Sequence, residues 1–414
     1  MSNSSTSIAD TFTYDYIIAG AGGAGLSLLH YLMNAPSLSE KSILVIDKSF
    51  NKTNDRTWCF WEKDTIIFND LVVKHWETIS IQATNFKKEL PTTPYSYKMI
   101  QGIDFYNFIL TAAKQNSNIH WRETTVLNLV PINLLSKEEG AKVEWEGGEA
   151  IGKYVFSSIL PFQMNQLASA AAFSKSLHSF DAVNKYQTPF LWQHFKGRVV
   201  QYDQPVFNVK VATLMDFNVP QFGATAFMYQ LPLNDKEALV EYTLFSDTIL
   251  KNNEYDQVLD NYLNTHFPEL TYTVLHEEIG AIPMTQIALS MYEAPIYSIG
   301  ALGAAVKAST GYAFQFIQEQ CKNIVMQLEK NKPIETKVHT TRHQFYDAVL
   351  LHILFYHKME GAEIFKRIFA KNKAVTVFKF LSNTSSILED IQIMRSLPTR
   401  IFLPAALRVF FGSR

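Results

Sequence analysis

An apolar strand that runs straight into a glycine-rich turn and then a helix leaves a chain few ways to fold. Here Tyr14-Asp15-Tyr16-Ile17-Ile18-Ala19 is followed by Gly20-Ala21-Gly22-Gly23-Ala24-Gly25 and then Leu26-Ser27. Each glycine answers a separate demand: Gly20 permits the tight turn, Gly22 lets a pyrophosphate approach the backbone, and Gly25 lets the helix pack closely on the sheet. A helix over 24–33 would then aim its N-terminal amides at the phosphates. A second strand, Ser42-Ile43-Leu44-Val45-Ile46, ends at Asp47. That is about 20 residues past the motif, where a carboxylate can accept from ribose hydroxyls. The pattern predicts a Rossmann-like βαβ unit holding the adenosine half of a dinucleotide.

The rest of the 414-residue chain is long enough for two or three domains. A net charge of −2 argues against a nucleic-acid footprint over the whole chain. Cys59 and Cys321 are too few for a disulfide framework or a zinc site, which suits a reducing compartment and a chain without metal. Residues 1–8 lack both a basic n-region and an apolar run, so a disordered start is expected there rather than a signal peptide. No window reaches the ~18 apolar residues of a spanning helix. The expectation is a cytoplasmic protein, free or resting on a membrane without crossing it.

Past the βαβ unit, Asn54-Asp55-Arg56-Thr57-Trp58-Cys59-Phe60-Trp61 reads as a loop entering a buried segment, and 79–88 alternates like one strand. Phe105, Phe108, Ile109 and Ala112 make one helical face over 104–114. Strands follow at 126–130, 142–145 and 153–156, the last returning in parallel to the first sheet. From 193 to 282 the pattern changes to strands at 209–215, 224–230 and 238–245 separated by turns, which predicts an inserted, mostly antiparallel sheet. A strand at 296–300, a small-residue loop at 301–309 and a helix at 310–329 then repeat the strand–loop–helix plan. A second set of backbone amides could meet the same cofactor there.

The expected fold is thus α/β: a nucleotide-binding domain from 12–110, completed by strands and a linker over 111–180 and by 283–332, with an antiparallel sheet substrate domain over 181–282. Residues 333–414 read as helical. Over 358–414 ten Lys or Arg stand against four acids, interleaved with Phe, Ile and Leu. Such a composition suits docking onto anionic lipid, and equally a packed helical cap with a solvated face.

Several segments together resemble the lycopene cyclases of the bacterial beta-cyclase type, a branch of the flavin monooxygenase-like fold. They are the 20–27 turn with Asp47, Asp55-Arg56-Thr57-Trp58-Cys59-Phe60-Trp61, Trp192-Gln193-His194-Phe195-Lys196-Gly197, Thr213-Leu214-Met215-Asp216-Phe217, and Ala238-Leu239-Val240-Glu241-Tyr242-Thr243-Leu244-Phe245. Gly280-Ala281-Ile282-Pro283-Met284 and the stretch from Gly300 to Phe314 complete the set, so the resemblance covers nearly the full length.

The resemblance implies FAD in its reduced form, with NADPH or NADH as external reductant, and lycopene drawn from the inner face of a membrane. It implies an isomerase, or intramolecular lyase, reaction that closes beta-ionone rings without net redox change. Glu241 matches the family's acidic strand motif, and its apolar neighbours would raise its pKa and keep it protonated. The cofactor set becomes Gly20, Gly22, Gly25, Asp47, Arg56, Gly303, Lys307, Thr310, Gly311 and Tyr312. Trp58, Phe60, Trp61 and Trp192 are candidate cation shields or ordinary core, and His194 is a weaker catalytic candidate. The chain departs from the family pattern at Phe156-Ser157-Ser158, where an Asp is common, and at Ala308, where a Pro is. Tyr242 follows Glu241 where related motifs pair two acids, which leaves the proton-accepting base unassigned. A flavin monooxygenase or reductase on another polyprenoid, or a prenyl-binding escort protein without catalysis, would share the glycine turn.

Overall fold

The computed structural model describes residues 13–63, 68–134, 138–159, 189–287, 289 and 292–412. The N-terminal start, the linker expected over 160–180 and the first residues of the 181–282 unit lie outside these.

The glycine turn sits where its sequence demands. Strand Tyr14–Ala19 is the centre of a sheet in the order 119–123, 43–47, 14–19, 148–157, 139–145, 126–133. The first four strands are parallel, and Ile296–Ser298 joins the far end of the fourth in parallel register, Val155 opposite Ile296. Helix Gly23–Met33 buries Leu26, Leu28, Leu29 and Leu32, and helices Gly102–Ala113 and Phe314–Glu329 pack against it. This is the doubly wound arrangement in which ligands bind at the carboxyl ends of the strands.

The second sheet has seven strands in the order 272–285, 190–202, 237–246, 225–232, 212–216, 78–83, 86–91. The last two correct the expected boundaries, because they fall within the 12–110 unit yet hydrogen-bond into the second sheet. The single strand expected over 79–88 is a hairpin that turns at Asn85, whose φ of 56° suits a short polar side chain. The stretch entering at Asn54 is likewise a strand from Thr57, paired with Ser96–Gln101 in a small three-stranded sheet that also holds Val72–Trp76.

Helix Asn252–His266 appears where only strands were expected. Its apolar residues Tyr255, Val258, Leu259, Tyr262 and Leu263 recur at helical spacing and cover the outer face of the second sheet. The long strand beneath it shows why a sheet face can be read by alternation. His194, Lys196 and Arg198 point to the helix, through Tyr255, Asp256 and Asp260. Gln193, Phe195 and Gly197 point the other way.

Beyond 340 the chain forms five helices among the described residues, Thr341–Phe355, Gly361–Lys371, Ala374–Leu381, Ile387–Arg395 and Thr399–Gly412. Phe365, Phe369 and Phe378 from this region share one core with Phe217, Phe227 and Phe245 of the second sheet.

Candidate active site

One continuous cavity of about 940 Å³ runs from the glycine turn to the inner face of the second sheet. At its first end Gly20 takes a φ of +98°, and its amide donates to Ile46 O at 2.8 Å, which closes the turn over the neighbouring strand. A Cβ on Gly25 would stand 1.8 Å from Gly20 O, so the helix can approach only without one. A Cβ on Gly22 would meet nothing within 4 Å, because that side of the turn faces the cavity. Asp47 lines the same end; its Oδ2 accepts from the Ala21 amide at 2.6 Å and its Oδ1 from the Ser49 amide at 3.0 Å, with Lys52 Nζ at 3.1 Å.

Asp55 and Arg56 follow on the wall, the guanidinium donating to Asp55 Oδ2 while Tyr106 donates to Oδ1. These contacts hold the Asp55 carboxyl below the usual range although burial opposes them. Opposite, residues 307–312 close on themselves: Lys307 N donates to Tyr312 O and Gly311 N to Lys307 O, both at 2.8 Å. Helix formation is thereby delayed to Phe314, four residues past the expected Thr310. Gly311, with φ +72°, lies against Gln193, and a Cβ there would fall 1.7 Å from Gln193 Oε1.

The far end of the cavity is formed by alternate residues of the second sheet. Gln193, Phe195, Tyr229, Leu231, Leu239, Glu241, Glu278 and Ile282 line it with Cys59, Tyr97, Trp192 and Tyr312. Glu241 stands opposite Tyr229 on one neighbouring strand and Gly197 on the other. Thr243 donates to its Oε1 at 2.7 Å. Burial, reinforced by the charge of Glu278, pushes the Glu241 carboxyl well above the ordinary glutamate range. Burial also raises Glu278, against the Thr57 hydroxyl that donates to its Oε2 at 2.8 Å. The site therefore places a carboxyl biased toward its protonated form in an aromatic, apolar wall, with the glycine turn at the other end of the same cavity.

The sequence model of the family described as lycopene cyclase protein matches residues 15–406. The chain belongs to the lycopene cyclase family. A lycopene beta-cyclase of Pantoea ananas is 24% identical over 279 residues, which span 66% of this chain and 63% of that protein. Solved structures share the fold at low identity. A flavoprotein/dehydrogenase from Cytophaga hutchinsonii superposes with a TM-score of 0.57 at 10% identity, covering 97% of this chain and 100% of its own. A geranylgeranyl bacteriochlorophyll reductase-like protein from Thermoplasma acidophilum gives 0.56 at 12% identity over 96% and 99%. Aklavinone-11 hydroxylase, solved with FAD and aklavinone, gives 0.56 at 11% identity over 90% and 73%.

On this lycopene cyclase fold the site residues expected from sequence divide. Gly20, Gly22, Asp47, Arg56, Gly311, Tyr312 and Glu241 line one cavity, and Gly25 supports its turn from behind. Gly303, Lys307 and Thr310 do not line it. Lys307 is buried and ion-paired with Asp347 at 2.8 Å, while Gly303 fits under Ser298 O and its carbonyl accepts from Gln320. These three shape the loop rather than face the cavity. Of the candidate cation shields, Trp58 and Trp192 line the cavity. Phe60 stacks on Phe314 at 4.8 Å and Trp61 on Phe378 at 4.5 Å, both in the core. His194 is fully buried between Tyr255 and Ser246 Oγ on the opposite face of its strand, and burial lowers its pKa to about 4. It is a structural histidine.

Glu278 and the tyrosines 97 and 229 were not singled out from sequence. A signal for Glu278 existed: in the run Glu278-Ile279-Gly280-Ala281-Ile282 it shares strand parity with Ile282, which also lines the cavity.

Proposed function

We propose that this chain is a lycopene beta-cyclase, an isomerase that converts the linear ends of lycopene to beta-ionone rings, through gamma-carotene to beta-carotene. The observation that carries the reading is the place of Glu241: a carboxyl whose burial favours its protonated form, at the inner end of a cavity that begins at the glycine turn.

FAD fits this cavity on two counts. The space in front of Gly22 is open to a pyrophosphate, and Gln193 Oε1 is buried without a hydrogen-bond partner beside Gly311, where a ligand N–H could satisfy it. An unsatisfied buried acceptor costs ~1–3 kcal/mol, so a donor there is favoured. Gly20, Gly22, Asp47 and Arg56 would hold the adenosine and phosphates, with Gly25 supporting their turn from behind and Gly311 and Tyr312 nearer the ring. Reduced FAD, maintained by NADPH or NADH, would supply an electron-rich face to a cation and would not turn over as an oxidant.

The protein residues do the remaining work. The Glu241 carboxyl O–H transfers its proton to the terminal double bond, and the tertiary cation so formed is attacked by the next alkene. Loss of a ring proton completes the beta ring. The faces of Trp192, Tyr229 and Tyr312 give the cation a negative quadrupole, and their packing excludes the water that would quench it. Lycopene would enter from a membrane surface, and the exposed apolar residues Ile387, Leu388, Leu403 and Phe411 on the last two helices are suited to rest there. No described helix is long and apolar enough to cross a membrane.

The test is expression in cells that accumulate lycopene, with the pigment identified. Conversion to beta-carotene by the wild type, lost in Glu241→Gln with flavin still bound, is the expected result. Unchanged lycopene with folded, reducible flavoprotein present would overturn the reading, as would product formation that consumes oxygen and nicotinamide in proportion.

A further inference from the structure

Glu241 has a partner that the strand register places two strands away. Gly197 stands opposite Glu241 on one side and opposite Glu278 on the other. Adjacent strands lie about 4.8 Å apart, so residues flanking a middle strand are normally separated by about 10 Å and by a side chain. Gly197 provides none. A Cβ there would sit 3.1 Å from Glu278 Cγ and 3.3 Å from Glu241 Cβ, so both glutamates close over the position that the missing side chain leaves. Both line the cavity.

The groups around the two carboxyls differ. Burial raises Glu278, but it receives the Thr57 hydroxyl, and the Arg56 charge favours its ionised form. Glu241 receives the Thr243 hydroxyl, and its other titratable neighbours are Cys59 and Tyr229, both kept neutral by burial. With no cation beside them, two carboxyls this close in a buried site do not both ionise; such a pair shares one proton.

We propose that Glu278 is the proton-accepting partner of Glu241, the two forming a carboxyl dyad that carries one proton through the cyclisation. The inference rests on the cyclase reading above. Glu241 begins protonated and Glu278 ionised. Glu241 gives its proton to a terminal alkene carbon, the C–C bond closes as the next alkene donates its electron pair, and the ring C–H proton passes to Glu278 as its bonding pair becomes the ring alkene. That proton then moves from Glu278 to Glu241 across the dyad. One proton enters the substrate and one leaves, and no electrons are exchanged. While the substrate is cationic the dyad carries two negative charges, which stabilise the cation electrostatically.

The experiment compares full-length, flavin-reconstituted wild type with Glu278→Gln, Glu278→Asp and Glu241→Gln. Turnover of lycopene in vesicles is followed against pH, and the infrared band of protonated carboxyl is recorded at neutral pH. The wild type is expected to show a bell-shaped profile, since the dyad works only with one proton. Glu278→Gln should lower kcat by about 100-fold or more with flavin content retained, and should lose the acid limb of the bell. Glu278→Asp should keep the bell at reduced rate, which separates a lost base from a lost fold. A Glu278→Gln enzyme with the wild-type rate and profile would overturn the proposal. The infrared measurement decides even if the wild type forms no ring. A single protonated carboxyl, altered by substitution at either position, supports the dyad; none, or two that titrate independently, overturns it.

Discussion

Lys307 Nζ lies 2.8 Å from Asp347 Oδ1, with both side chains all but fully buried, and Ser309 and Asn383 complete the hydrogen bonding around them. This pair ties the 300–313 loop, which carries Gly311 and Tyr312 into the cavity, to helix Thr341–Phe355. Breaking a buried pair from one side strands a charge and costs ~3–5 kcal/mol. Asp347→Ala should therefore lower Tm sharply, and a Lys307→Met/Asp347→Leu double variant should regain much of the loss. If the lysine does not touch the cofactor, the double variant keeps its flavin; flavin loss without unfolding would contradict the placement of Lys307.

Gly25 and Gly22 of the nucleotide turn should fail differently. Gly25→Ala drives a Cβ to 1.8 Å from Gly20 O and has no backbone room to relax, so folding of the turn itself should suffer. Gly22→Ala meets no protein atom within 4 Å. It should fold with a near-normal Tm yet bind flavin more weakly, because the methyl occupies the cavity side. Thermal melts paired with flavin occupancy separate the two outcomes.

His194 should make the protein acid-sensitive. Its folded pKa is about 4, below the ordinary 6.5. Between those values the unfolded chain binds a proton that the native state does not, so stability falls as pH drops through that window and is fully present above it. The effect of this one residue is about 2 kcal/mol between pH 7 and 5. Urea midpoints for the wild type and His194→Gln across that range should show a smaller slope in the variant, whatever its stability at pH 7.

The last two helices expose Leu388 at 79%, Phe411 at 63% and Ile387 at 62% of their surface, alongside Arg395 and Arg400. Sedimentation with anionic vesicles should fall strongly for Leu388→Glu/Phe411→Glu, and moderately for Arg395→Ala/Arg400→Ala with a weaker response to salt. Equal sedimentation of all three proteins would leave the face without a role at membranes.

Local pattern was enough for the elements whose cause is local. Strand Tyr14–Ala19, the glycine turn and helix Gly23–Met33 follow from neighbouring residues alone, since the turn's demands on Gly20, Gly22 and Gly25 are met within a dozen positions. Motif resemblance carried Glu241 and Arg56 to the cavity. Helix Asn252–His266 had its periodicity in plain view, and the surrounding run of strands obscured it. Hairpin Thr78–Pro91 could not be assigned to its sheet from sequence, because pairing partners more than a hundred residues away are selected by packing rather than by propensity. Trp58 and Trp61 stand three residues apart on one strand; Trp58 and its neighbour Cys59 line the cavity while Trp61 packs in the core, a division set by what packs along the strand. Register governs the chemistry. Residue types show that Glu241 and Glu278 can each carry a proton; only the pairing of three strands around Gly197 brings the two carboxyls together, because proximity across a sheet depends on which strands are neighbours and in what register.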